Sequence, residues 1–151
     1  MTQSRWPKVI AGLAPLLMAT ACVTSQNGGI AAGDTLLDRH VHGFAMAHCL
    51  RSLEGKGVPE TDARVLREQG DRWGQVLVEH SRGDIFAAFN VLLPAIDAAL
   101  AEMPIALVKL EETGGSATAP VFYCDDLLHQ PAVMRAMDEA RIRLAPAYAE
   151  D

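Results

Sequence analysis

The residues of this 151-residue chain with the most chemistry to offer are three cysteines and five histidines. His40, His42 and His48 gather in one stretch, but their spacings of two and six miss the i, i+4 geometry that sets two ligands on one helical face. His48 precedes Cys49 directly, and side chains of helical neighbours point about 100° apart, so the two do not form a Cys-His dyad with each other. The adjacent carboxylates Glu111-Glu112, Asp125-Asp126 and Asp138-Glu139 read as solvated faces or first-turn helix charges. The sequence has no Gly-rich phosphate loop, no G-x-S-x-G elbow and no C-x-x-C-H haem site. The reading is a non-enzyme with no catalytic residues, no metal site and no cofactor.

Cys22 has a different use, visible in its surroundings, MATACVTS. Arg5 and Lys8 give a positive start, Val9 to Ala21 is almost wholly apolar, and Ala19, Thr20 and Ala21 close the stretch with small residues, the layout of an export signal over residues 1–21. Ala19-Thr20-Ala21 satisfies ordinary A-x-A cleavage. The same residues followed by Cys22 also resemble a bacterial lipobox, in which the cysteine becomes the lipidated first residue, although Ala19 stands where Leu is usual. Both routes begin the mature chain at Cys22. The lipobox reading places the protein in the periplasm, anchored to the outer membrane, with lipid on Cys22 as its sole membrane contact.

Loss of Arg5 and Lys8 with the signal leaves 11 basic against 19 acidic side chains, a formal charge of −8. Phosphate backbones are held by clustered Lys and Arg, so nucleic acid is an unsuitable partner. An acidic surface suits a basic protein partner, or serves solubility alone. Once Cys22 carries lipid, Cys49 and Cys124 remain as a natural disulfide pair in an oxidising compartment. Two free buried thiols are the alternative.

The elements that must position these residues are helical. Val23 to Gly33 is small, polar and Gly-rich, and makes residues 22–33 a tether ahead of a helical domain over 34–151. Asp34 or Thr35 caps a first helix with Leu37, Val41, Phe44 and His48 on one face and Ala45, Met46, Cys49 and Leu53 on another, ending at Gly55 and Gly57. Pro59 and Thr61 open a second helix that sends Val65, Leu66, Trp73, Val76 and Leu77 to the core, with Gly70 and Gly74 admitting a close neighbour. Asp84 caps a third helix bearing Ile85, Phe89, Leu92, Ile96, Ala99, Leu100 and Met103, with a kink or break expected at Pro94. Ile105 to Leu110 is a helical extension or a strand. Glu111 to Ala119 reads as a loop centred on Gly114, Gly115 and Ser116. Helices from Val121 to Gln130 and from Pro131 to about Leu144 complete a compact all-α bundle of four to five helices.

The run Phe122-Tyr123-Cys124-Asp125-Asp126-Leu127-Leu128-His129, taken with Ala47-His48-Cys49-Leu50 and Trp73, resembles the amidase immunity proteins of type VI secretion systems, the Tai group. The resemblance spans about residues 40–137, and its Cys-x-Asp-x-x-His run falls on Cys124, Asp126 and His129. It implies a periplasmic protein that occludes the active site of a peptidoglycan amidase with a protruding loop, often as a homodimer. The segment suited to that role is Glu111, Glu112, Thr113, Gly114, Gly115 and Ser116, with the glutamates meeting basic groups and the glycines entering with little bulk. A reading of another class is a small helical outer-membrane lipoprotein that assists assembly of a secretion or envelope system, as a pilotin does.

Overall fold

The computed structural model describes residues 35–149. The export signal, Cys22 and the tether lie outside the described residues. Within them run α1 (Leu36–Arg51), α2 (Glu60–His80), α3 (Ile85–Glu102), β1 (Leu107–Lys109), β2 (Ser116–Thr118), α4 (Pro120–Leu128) and α5 (Pro131–Tyr148). The all-α bundle is therefore present, with five helices and one short antiparallel hairpin among the described residues.

Helix α1 starts where the sequence offers reciprocal capping. The Thr35 hydroxyl accepts the Asp38 N–H at 3.1 Å, and the Asp38 carboxylate accepts the Thr35 N–H at 3.1 Å, so two donors left over at the helix start are satisfied together. The helix is apolar over most of its circumference and packs against all four others, which puts Val41, Phe44, Ala45 and Cys49 at the centre of the core. It ends at Arg51, so Leu53 reaches the core from the turn after the helix rather than from its last turn.

Helix α2 packs on α1 through a narrower seam than periodicity implies. Its buried positions are Ala63, Gly70 and Leu77, one residue in seven, while Val65, Trp73 and Val76 are exposed and Leu66 is half-buried. The reason is that α1 is the helix it packs on, so a single stripe suffices. A Cβ on Gly70 would lie 2.6 Å from the Ala47 carbonyl oxygen, and one on Gly43 would lie 2.9 Å from Leu77 Cδ1. Gly74 meets nothing within 4 Å, so the close approach belongs to Gly70 and not to Gly74.

Asp84 caps α3 by accepting the Ala87 N–H at 3.2 Å. Of the kink or break expected at Pro94, the break does not occur, since the helix continues to Glu102. Pro94 and Asn90, the residues on either side of the backbone bond that proline removes, are both exposed, where losing that bond costs less than it would in the core. Ile85, Ala88, Leu92, Ile96 and Leu100 are buried, whereas Phe89, Ala99 and Met103 are half-buried. Helix α4 stops at Leu128, two residues short of expectation, and α5 continues past Leu144 to Tyr148 with Pro146 in its last turn. Cys49 on α1 and Cys124 on α4 form a disulfide with Cα atoms 5.8 Å apart, both side chains fully buried.

Candidate functional site

Residues 103–123 form a projecting hairpin with a fastened base. Met103 ends α3 in extended backbone, the conformation favoured for a residue that precedes proline, here Pro104. Tyr123, fully buried in α4, donates its hydroxyl to the Met103 carbonyl at 2.8 Å, and burial raises its pKa above the ordinary phenol value, which keeps the proton in that bond. Its neighbour Cys124 is bonded to Cys49, so the start of α4 is tied to α3 and α1 at consecutive residues. The Ala119 N–H donates to the Ala106 carbonyl at 3.1 Å and begins the ladder, in which Leu107 pairs with Thr118, Val108 with Ala117 and Lys109 with Ser116.

The ladder closes with the Leu110 N–H donating to the Gly115 carbonyl at 2.8 Å, leaving Glu111 to Gly114 as a four-residue turn. Gly114 has φ of +67°, a left-handed conformation that a side chain would resist. Ser116 therefore belongs to β2 and not to a loop, and the segment from Glu111 to Ala119 is a turn followed by a strand. Ile105 to Leu110, open between a helical extension and a strand, supplies β1, whereas β2 falls in the stretch read as a loop because three residues are too few to show a period. Every residue from Leu107 to Ser116 is exposed, and the strands pack chiefly on each other.

Exposed apolar side chains concentrate here. Of the twelve large ones exposed in the described residues, five fall between 107 and 122: Leu107, Val108, Leu110, Val121 and Phe122. They give the hairpin and the first turn of α4 apolar area open to a partner, on both faces of the ribbon because neighbours such as Leu107 and Val108 point oppositely. Val121 and Phe122 carried a legible signal: α4 buries Tyr123, Cys124, Leu127 and Leu128 on one face, so two apolar residues just before them must point elsewhere. Glu111, Glu112 and Thr113 supply acceptors and a hydroxyl at the tip, and Lys109 is the cation of β1.

The run Cys124, Asp126 and His129 is not drawn together into one constellation. Cys124 is inside and disulfide-bonded, Asp126 and His129 are exposed, and the His129 ring bonds the Asp125 carbonyl one turn back at 2.7 Å. The three early histidines also go separate ways. His40 is buried against Tyr148, His42 is exposed, and His48 pairs with Asp97 of α3 at 2.7 Å. With Cys49 in a disulfide, no thiol stands beside His48.

A second surface feature lies away from the hairpin. The sides of α2 and α3 rise from α1 around a groove of about 220 Å³, lined by Phe44, Ala47, Gly74, Val78, Phe89 and Leu93 and edged by His48 and Arg51. Neither a protein-family model, nor a curated protein, nor a solved structure matches this chain.

Proposed function

We propose that this chain is a periplasmic immunity protein that binds a peptidoglycan amidase effector of a type VI secretion system and occludes its active site. The observation that carries the reading is the hairpin, whose base is fastened by Tyr123 and Cys124 while its tip, Glu111 to Gly115, stands exposed. A narrow ribbon held at its root enters a cleft with little ordering cost at binding. The glutamates meet basic groups around that cleft, and Leu107, Leu110, Val121 and Phe122 cover its apolar rim. The resemblance around Cys124 and the export signal supply the compartment and the class of partner, and Cys22 supplies the lipid anchor.

The test is to mix the chain with the cell-wall amidase encoded beside its gene and follow peptidoglycan cleavage. Inhibition is expected for the native chain, and its loss for the chain with Glu111→Lys and Glu112→Lys. An amidase that neither binds nor loses activity would remove the proposal. The groove between α2 and α3 favours a second reading, an assembly helper that carries an apolar segment of an outer-membrane pore subunit. That reading requires secretin assembly to fail when the gene is deleted.

A further inference from the structure

His40 is buried, 6% exposed, the one histidine so placed among the described residues. Its Nδ1 lies 2.6 Å from the Tyr148 hydroxyl, with the two rings edge to face at 5.6 Å. The Tyr148 oxygen also accepts the Arg82 backbone N–H at 3.1 Å. The phenol oxygen accepts the Arg82 N–H and still has its own proton to give, and the tautomer that uses that proton has Nδ1 as acceptor and the imidazole proton on Nε2.

The three residues come from three elements: His40 from α1, Arg82 from the link between α2 and α3, and Tyr148 from the last turn of α5. The link and that turn also touch directly. Gly83 adopts φ of +76°, and a Cβ there would stand 2.8 Å from that of Ala147. The charged and titratable groups facing the His40 ring are Arg39 on its own helix, His80 at the end of α2, Arg82 on the link and Tyr148 on α5. Burial first, then His80, Arg39 and Arg82, disfavour an imidazolium at this place and lower the His40 pKa.

We propose that the His40–Tyr148 contact is a proton-operated latch: neutral His40 holds the last turn of α5 against α1 and the α2–α3 link, and protonation at Nδ1 releases it. An Nδ1–H cannot accept the phenol proton. The phenol proton then loses Nδ1 as its acceptor, and a cation is created on a buried ring beside His80, Arg39 and Arg82. Two clefts flank the latch, one of about 350 Å³ beside Leu36, Val76 and His80 and one of about 400 Å³ beside Leu37, Ala145 and Ala149. Withdrawal of Tyr148 joins them and uncovers Leu36, which lines both.

Amide hydrogen exchange on the full chain tests this, read at Arg82 and Ala147 between pH 7.5 and pH 5 after correction for intrinsic rates. Protection at both amides is expected to fall at least tenfold on acidification, with α4 amides unchanged. In His40→Gln, whose amide oxygen accepts the phenol proton at every pH, protection is expected to stay constant. Tyr148→Phe, which removes the acceptor of the Arg82 N–H, is expected to lower protection at pH 7.5 to the level that the native chain shows at pH 5. The His40 ring resonance in the native chain supplies a readout independent of the variants, with a midpoint expected below that of a free histidine. Constant protection in the native chain, a pH-dependent loss that survives His40→Gln, or a His40 midpoint at or above 6.5 would overturn the latch.

Discussion

The carbonyl oxygen of Ala47 lies 2.6 Å from the point where a Cβ would project from Gly70, nearer than a side-chain carbon can stand. The obstruction is backbone, so no rotamer change relieves it, and a methyl at position 70 must push α2 off α1. Gly70→Ala is expected to destabilise the fold by about 1–3 kcal/mol, the range for overpacking a close contact. Gly74→Ala, one turn along the same helix with nothing within 4 Å, is expected to stabilise by up to about 1 kcal/mol through helix propensity. Urea denaturation midpoints of the two variants should move in opposite directions, and a shared direction would contradict the packing described.

The disulfide predicts both a magnitude and a resistance. Cys49 and Cys124 close a loop over a sequence separation of 75, for which chain entropy gives roughly 4 kcal/mol. The double variant Cys49→Ala, Cys124→Ala is expected to lose about that much, measured by urea unfolding against the oxidised chain. Both sulfurs are buried, so a mild reductant should leave the native chain oxidised and reduce it only in urea. Intact-mass analysis follows this as a gain of about 2 daltons.

Much of this architecture was legible because local signals and packing agreed. Thr35 as one of two cap candidates, Asp84, and the helical spacing of Leu92, Ile96 and Leu100 define helix starts and buried faces that the structure keeps, while the Asp38 half of the first cap was not read. The cysteine pairing was one of two readings in the sequence, since the expectation that Cys22 carries lipid leaves Cys49 and Cys124 either paired or as free thiols, and the structure pairs them. Val65, Trp73 and Val76 misled because periodicity reports an apolar face without saying whether a second helix arrives to cover it. The hairpin was half legible: a strand was one of two readings for Ile105 to Leu110, but β2 was hidden, since three-residue strands have too few positions to show alternation and the ribbon is defined by cross-strand pairs such as Val108 with Ala117. His40 with Tyr148, 108 positions apart, is a tertiary relationship with no local trace.

Acid sensitivity at the start of α1 has a definite sign. Burial tends to raise the Asp38 carboxyl, but bonds from the Thr35 hydroxyl and N–H, with the Arg141 guanidinium 2.7 Å away, outweigh it and hold the carboxyl below its ordinary value of 3.8. A depressed carboxyl contributes stability that is complete above the unfolded value and lost as pH falls through the folded one. The native chain should therefore lose stability below about pH 4. Asp38→Asn, which cannot pair with Arg141 as an anion, should lose less over that interval and be weaker at pH 7 by about 1–2 kcal/mol. Thermal unfolding at pH 7 and pH 3 compares the two slopes, and equal slopes would show that Asp38 is not the group responsible.

Phe122 and Tyr123 are neighbours with opposite environments, and the hairpin proposal separates them. Phe122 is 63% exposed on the first turn of α4, so Phe122→Ala should change folding stability by no more than about 0.5 kcal/mol. If the hairpin and the start of α4 form one contact surface, the same change removes an aromatic anchor and weakens amidase binding by about 2 kcal/mol, roughly thirtyfold. Tyr123 is buried, and Tyr123→Phe leaves the Met103 carbonyl without its donor. That variant should lose about 1–2 kcal/mol of stability. Its binding should weaken only as far as the hairpin base loosens. Calorimetric titration of the amidase beside urea unfolding reads both quantities. A Phe122→Ala chain that binds as the native one does, while Glu111→Lys abolishes binding, would confine the contact to the tip and exclude α4 from it.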